Sequence, residues 1–354
     1  MITPRAENTI IITGGAGFIG SNLAAQFALR RPGARVVVVD NFRSGSVTNL
    51  VDAYAIAGAG PFEGEVIPRG VSEIDWPKLV RERGPAAVFH LGAITDTQIC
   101  DERLVIDENL GAFHARESSS MLRACADNAV PLVYASSAAV YGCPPAAAQR
   151  RAFTEGDAGQ PRNVYGFSKW LMECEHAKFA TAHPAARVVG LRYFNVFGPG
   201  EARKGRTASM IGRLAGQLIR GERPRLFHDG FQARDFIPVQ DAVEATLAAS
   251  GLFADAPVPG VYNVGAGQAM TFNTVLTVLR ESLDVSEARL PTEFIEMPPA
   301  IRAFFQDFTQ ADMTRAVTGL RWKPGRDVRE AIRDYAVWLR GSLNISREIS
   351  EIGA

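Results

Sequence analysis

Short apolar runs alternate along the first half of the chain with longer, helically spaced segments. Thr9–Thr13 (TIIIT) leads into a glycine-rich turn and then into Ser21–Arg30, whose apolar positions recur with helical spacing. Arg35–Asp40 (RVVVVD), Ala87–Leu91 (AVFHL) and Leu132–Ser136 (LVYAS) each follow a helical stretch, and Val188–Phe194 (VVGLRYF) adds another run. A strand covered on both faces has no polar side to alternate with, so these runs read as parallel strands between layers of helix. The pattern predicts a doubly wound α/β fold.

Beyond Asn195 the texture changes. Gly198–Gly205 (GPGEARKG) reads as a loop and Thr207–Arg220 as a helix. Arg225–Asp235 mixes strand and turn signals, Val261–Val264 is one more buried strand, and Glu293–Pro324 has no clean period. The expected division is a Rossmann domain of residues 1–195 plus about 232–265, and a smaller α/β lobe of 196–231 plus 266–345.

Composition narrows the function classes. Lys plus Arg and Asp plus Glu balance at 38 each among 354 residues, so no global field attracts nucleic acid or an anionic membrane. The four cysteines (Cys100, Cys125, Cys143, Cys174) form no CxxC pair, and His176 and His183 lack the spacing of a zinc site, so no metal is expected. No window is apolar enough to span a bilayer, and no apolar leader precedes Thr9, which points to a cytoplasmic protein. Only five of the 38 basic residues are Lys (Lys78, Lys169, Lys178, Lys204, Lys323). Lysine is the cation whose pKa can fall far enough for proton transfer, so each survivor in an Arg-rich chain is of interest.

Two constellations carry chemistry. Gly14-Gly15-Ala16-Gly17-Phe18-Ile19-Gly20 follows the first strand and opens the first helix. Spaced Gly14-x-x-Gly17-x-x-Gly20, it allows a tight turn and close backbone approach to a pyrophosphate, with helix N–H groups facing the anion. Asp40, ending the next strand, can hold an adenosine ribose and so favour NAD, while Arg43 nearby can meet a 2′-phosphate; Asp40 can equally just cap the loop Asn41–Gly45. The second constellation is Tyr165-Gly166-Phe167-Ser168-Lys169, a phenol and an ammonium one helical turn apart. A cation held against the phenol lowers its pKa toward neutrality and yields a general acid/base for a sugar hydroxyl. Ser136-Ser137 ends a predicted strand, where open α/β sheets place ligands.

These stretches, with Val39–Asn41 (VDN), Tyr134–Gly142 (YASSAAVYG) and Arg192–Pro199 (RYFNVFGP), resemble the extended short-chain dehydrogenase/reductase family over nearly the whole chain. The resemblance implies a Rossmann domain with tightly held NAD(P), a lobe for a nucleotide-sugar, and Ser137, Tyr165 and Lys169 as the catalytic triad. Within the family, Asn163–Lys169, Arg192–Gly205, Pro224–Phe227, Arg234–Phe236 and Gln306–Asp312 are most similar to the ADP-L-glycero-D-manno-heptose 6-epimerases. That branch implies Lys204 as a second acid/base opposite Tyr165, NADP with NAD as the alternative, and ADP-heptose as substrate, in lipopolysaccharide core synthesis. It further implies a homopentamer, whereas other relatives are dimers.

Matching positions assign Gly14, Gly17, Phe18, Ile19, Gly20, Asp40, Asn41, Arg43, Leu91, Gly92, Ala93, Asn109 and Val196 to the cofactor, with Tyr165 and Lys169. Ser137, Asn195, Arg206, Arg213, Phe227, Arg234 and Phe305 fall on the substrate side. Several departures stand out. Arg206 replaces a small Ser, Arg213 a His, Phe305 a Tyr, and Leu91 an acidic residue, while Arg43–Thr48 lacks a Lys that resembles a 2′-phosphate ligand. A hexose 4-epimerase would use the same triad without Lys204, and a non-catalytic NADP-sensing regulator would need no Tyr–Lys pair. Ala138 and Ala139 stand where a dehydratase would need acidic residues.

Overall fold

Alternate residues of each central strand bury against opposite layers of helix, and this sets the architecture. The computed structural model describes residues 8–99, 101–114, 119–143, 150–302 and 305–352; the side chains of 206, 300, 301 and 344–352 lie outside that description, as does Cys100 altogether. The strands are β1 (Thr9–Thr13), β2 (Arg35–Val39), β3 (Glu65–Ile67), β4 (Ala87–His90), β5 (Leu132–Ser137) and β6 (Val188–Tyr193), followed by β7 (Asn195–Phe197), β8 (Arg225–Phe227), β9 (Ala233–Pro238), β10 (Gly260–Val264), β11 (Ala269–Thr271) and β12 (Glu293–Ile295). The helices are α1 (Phe18–Arg30), α2 (Val47–Ala57), α3 (Trp76–Arg83), α4 (Glu102–Leu110), α5 (Met121–Asp127) and α6 (Val164–Ala182), then α7 (Met210–Ile219), α8 (Val239–Ser250), α9 (Phe272–Leu283), α10 (Pro299–Arg302), α11 (Thr314–Gly319) and α12 (Val328–Ile352).

Seven strands form one parallel sheet in the order β10-β6-β5-β4-β1-β2-β3. Ile10, Ile12, Val36 and Val38 pack into a cluster with α1, α2 and α8, while Ile11, Val37 and Val39 pack into another with α3, α5 and α6. The doubly wound sheet is therefore as expected, with its strands within a residue of the apolar runs. The edge strand β3 was not expected: three partly exposed residues give too short a pattern. Helix α1 begins at Phe18 rather than Ser21, because the glycine turn runs straight into it.

Strand order reverses between β1 and β4, so the turns after these two strands open a crevice at the carboxyl edge, where such sheets bind ligands. Beyond β6 a smaller lobe rises over that edge. Its strands form a mixed β11-β9-β7 sheet and a parallel β12-β8 pair. Ile211 and Leu214 of α7, Leu276 and Leu279 of α9, and Ile332 and Leu339 of α12 form its apolar core. The aperiodic stretch after Glu293 holds β12, α10 and α11, elements of three to six residues that are too short to show a period. No helix among the described residues is long and apolar enough to cross a membrane, and none of their His, Cys, Asp and Glu side chains group as metal ligands.

Candidate active site

The turn after β1 is built from backbone. Gly14 has φ 64°, and a Cβ there would sit 2.7 Å from the Gly92 backbone; a Cβ on Gly20 would lie 2.2 Å from the Gly14 carbonyl oxygen. Only glycine permits these approaches. Gly17 is the N-cap of α1 with no side-chain cap, which leaves the first helical N–H groups to meet an anion. At the end of β2, Asp40 accepts from Ala16 N at 3.0 Å and Phe42 N at 2.8 Å. Burial raises its carboxyl above the usual range, and these two bonds oppose the rise. The loop-capping role weighed for Asp40 is thus real, yet each oxygen keeps a lone pair for a hydroxyl.

Asn41 is exposed and accepts from Arg43 N, while Arg43 reaches Glu108 at 3.7 Å. After β4, Leu91 N and Gly92 N donate to the Thr13 carbonyl and hydroxyl, which brings Leu91, Gly92 and Ala93 beside the glycine turn. Asn109, on α4 and 1% exposed, bonds both N and O of Ile94 and donates to Ser168 Oγ at 2.9 Å. It couples this loop to the helix that carries Tyr165. Phe18 and Ile19 form the first turn of α1, and Val196 packs against the same apolar cluster. A cradle without Cβ atoms, unspent helix N–H groups and a carboxylate at the second strand end fit a dinucleotide.

Helix α6 starts where Asn163 accepts from Gly166 N at 2.7 Å, which puts Tyr165 and Lys169 in its first two turns. Lys169 is 2% exposed; its Nζ lies 6.0 Å from the Tyr165 ring centroid and 3.8 Å from Met172 Sδ. Desolvation brings its ammonium down to about 7. Burial also pushes the Tyr165 phenol up, with the Ser137 hydroxyl from β5 working against the rise. The direction is opposite to the expected depression of Tyr165: loss of water dominates, and the Ser137 hydroxyl rather than Lys169 is the group that opposes it. Ser137 itself caps the 3-10 turn Ala138–Tyr141 by accepting from Ala139 N.

The lobe contributes a second group. Arg234 on β9 is 8% exposed, its guanidinium 5.0 Å from the Phe305 ring and 5.9 Å from Phe272. Phe227 meets Phe305 edge-on at 5.7 Å. Desolvation lowers Arg234 to about 10, with Asp307 opposing, and it forms no ion pair within 4 Å among the described residues. This is a buried cation whose Nη1 donates to the Ala233 carbonyl at 3.3 Å. Asn195 donates to the Asp235 carbonyl at 2.9 Å, which ties β7 to β9.

Lys204 lies on the irregular 3-10 run Glu201–Thr207, its ammonium 5.5 Å from the Phe18 ring. Burial lowers its pKa and the neighbouring Glu201 acts against this. Arg206 belongs to the same run, but its side chain lies outside the described residues; Arg213 is exposed on α7.

Several functional supports had no sequence signal strong enough to single them out. Glu201 is fully buried and accepts from Gly198 N, Ser209 N and Ser209 Oγ, which pins the Lys204 loop. Asp235 accepts from Ala266 N, Gly267 N and Ala311 N, and burial raises it to about 7. Glu173, Arg192 and His90 are also buried. For Glu173, its place one turn beyond Lys169 was the available clue.

A glycine cradle at a topological switch point, beside a Tyr–Lys helix and a lobe with a buried cation, defines a dinucleotide-dependent enzyme of sugar nucleotides. Residues 10–265 match the model of the NAD dependent epimerase/dehydratase family, and the chain belongs to that family. Over 96% of this chain and 99% of the other, it is similar to ADP-L-glycero-D-manno-heptose-6-epimerase of Helicobacter pylori, with 33% identity and a TM-score of 0.78. It is also similar to UDP-N-acetylglucosamine 4-epimerase of Methanobrevibacter ruminantium in complex with UDP-N-acetylmuramic acid (25% identity, 95% and 99% covered, TM-score 0.79). A third relative is the Thermus thermophilus UDP-glucose 4-epimerase complex with NAD (26%, 94% and 99%, 0.74).

Proposed function

We propose that the chain is a nucleotide-sugar epimerase that inverts C6″ of ADP-D-glycero-D-manno-heptose. The observation that carries this reading is Lys204, a partly desolvated lysine in a chain with only five, on a loop anchored by a buried carboxylate. Inversion at one carbon calls for hydride to leave one face and return to the other, so the oxygen occupies two positions in the site, which suits two separate acid/base groups. Tyr165 or Lys204 takes the proton of the C6″ hydroxyl as C6″ becomes a ketone, the ketone turns over, and the other group returns a proton to the oxygen as hydride comes back to the opposite face of C6″. A bound nicotinamide would supply the hydride acceptor and donor, with no net redox. Ser137 would hold the reacting oxygen, and Arg234, flanked by Phe305 and Phe272, suits the diphosphate. The Arg43–Glu108 pair and the NAD-bound relative favour NAD over the NADP that the heptose resemblance implies.

A second reading, a hexose 4-epimerase with a single base, is favoured by the Lys204 contact with Phe18, a residue on the cofactor side. Proton NMR of the purified protein with ADP-D-glycero-D-manno-heptose, UDP-glucose and UDP-galactose, with the bound cofactor identified, separates the two. Inversion at C6″ of the heptose is expected. Conversion of the hexoses alone would overturn the heptose reading and make Lys204 a loop residue.

A further inference from the structure

Behind the triad runs a buried polar network that none of the reacting groups belongs to. Glu173 and Arg192 form a two-pronged pair, with Arg192 Nη2 and Nε donating to the carboxylate at 2.6 and 2.9 Å, each side chain about 4% exposed. Two further bonds bracket Ser137. On one side of it, Ser136 Oγ donates to Glu173 Oε1 at 2.5 Å. On the other, Arg192 Nη1 donates to Tyr141 Oη at 3.0 Å, and Tyr141 donates in turn to Asn263 Oδ1 at 2.5 Å. Tyr141 closes the 3-10 turn that Ser137 caps. Glu173 also stands on α6, one turn beyond Lys169 and two beyond Tyr165.

We infer that the Glu173–Arg192 pair is a positioning device that fixes Ser137 against Tyr165, by clamping both flanks of the serine to the helix that carries the phenol. A buried pair of this kind adds little stability relative to an apolar replacement, because desolvating two charges offsets their attraction. Its effect is geometric: the carboxylate has one fixed orientation, and Ser136, α6 and β6 must all conform to it. The reacting groups are sensitive to such geometry, since misplacement by an ångström costs rate steeply. This inference rests on the reading of Ser137, Tyr165 and Lys169 as the groups that move the proton.

The test uses Ser136→Ala, which removes one hydroxyl and leaves the charged pair intact, together with Glu173→Gln and the conservative Ser136→Thr. Each is made with and without Tyr165→Phe, so that the difference in phenolate absorbance against pH reports Tyr165 alone. The other charged and polar groups at that phenol, Lys169 and Ser137, stay constant across the series. The expected result is an upward move of the Tyr165 titration in Ser136→Ala and Glu173→Gln, reversed in Ser136→Thr. With it should come a fall in kcat of about tenfold at constant KM and constant bound cofactor.

A lowered melting temperature with the Tyr165 titration unmoved in Ser136→Ala would make the pair merely structural and overturn the inference. Ser136→Ala decides if Glu173→Gln fails to fold. If the native protein converts no nucleotide-sugar, the parent reading fails on its own account, and the titration still decides this one.

Discussion

The two lysines proposed to take part in the chemistry are held in different ways. Lys169 projects from the second turn of a 19-residue helix, 2% exposed, in front of a network that joins β5, β6 and α6. Lys204 rides on a seven-residue 3-10 run broken at Gly205, pinned from within by Glu201 and tied to neighbouring helices by Asn22–Pro199 and Arg203–Asp52. Regular secondary structure fixes the first ammonium, and one carboxylate fixes the second. Chemistry shared by the whole family belongs on the rigid side, where any sugar meets the same groups. Differences between sugars belong on the loop, which can change without disturbing the sheet.

The largest effect is expected on the rigid side. Tyr165→Phe should cut turnover by about 10²–10⁴-fold while the melting temperature and the bound cofactor are retained, because only the proton-transfer group is lost. Steady-state rates with cofactor absorbance check this; a Tyr165→Phe protein with a tenth or more of the native rate would break the assignment. Lys204→Met comes next and sharpens the comparison. Under the two-base reading it lowers heptose inversion by about a hundredfold. Near-full activity would show that the loop is not part of the chemistry.

That contrast also explains what the sequence disclosed. Six of the seven sheet strands were legible because a strand buried on both faces is a largely apolar run, with no tertiary knowledge needed. Tyr165 and Lys169 were legible because helical spacing puts them on one face. Arg234 and Phe305 are 71 residues apart and meet only because β9 and the segment after α10 converge, a pairing that periodicity does not encode. Glu173 and Arg192 looked like an ordinary helix acid and an odd arginine within an apolar strand. Their meaning lies in each other. The direction of the Tyr165 shift is hidden for a related reason: spacing shows the cation but not the loss of water.

The rigid side should also dominate the acid response. His90, 1% exposed with Nδ1 at 2.8 Å from Thr13 Oγ1, is held neutral by burial, with Lys169 adding to the effect, and its pKa falls to about 3. His176 on α6 falls to about 4 by burial. In both cases the folded pKa is below the unfolded value near 6.5, so the unfolded chain binds more protons across this window. Their contribution is fully present above about pH 6.5 and is lost as pH falls toward 3, with a slope of up to ~1.4 kcal/mol per pH unit for each histidine. Denaturant midpoints against pH should show that slope reduced in His90→Gln. An unchanged slope would mean that the acid sensitivity lies elsewhere, and the sheet edge would lose its claim to be the more tightly desolvated side.

The smallest effect is expected at the outer tether of the loop. Arg203 Nη1 reaches Asp52 at 2.7 Å and Asn49 at 3.1 Å, but both charged side chains are about two-fifths exposed. An exposed pair is screened and contributes about 0–1 kcal/mol. Glu201, by contrast, is fully buried and takes three donors from the two ends of the same loop, so its removal would leave those donors unpaired. If the loop is set from within, Arg203→Ala should leave the melting temperature nearly unchanged and the rate of heptose inversion within about twofold of the native protein. A loss of tenfold or more in rate without a change in stability would reverse the argument. It would mean that α2 holds the loop from outside and that Lys204 depends on a surface contact rather than on the buried carboxylate.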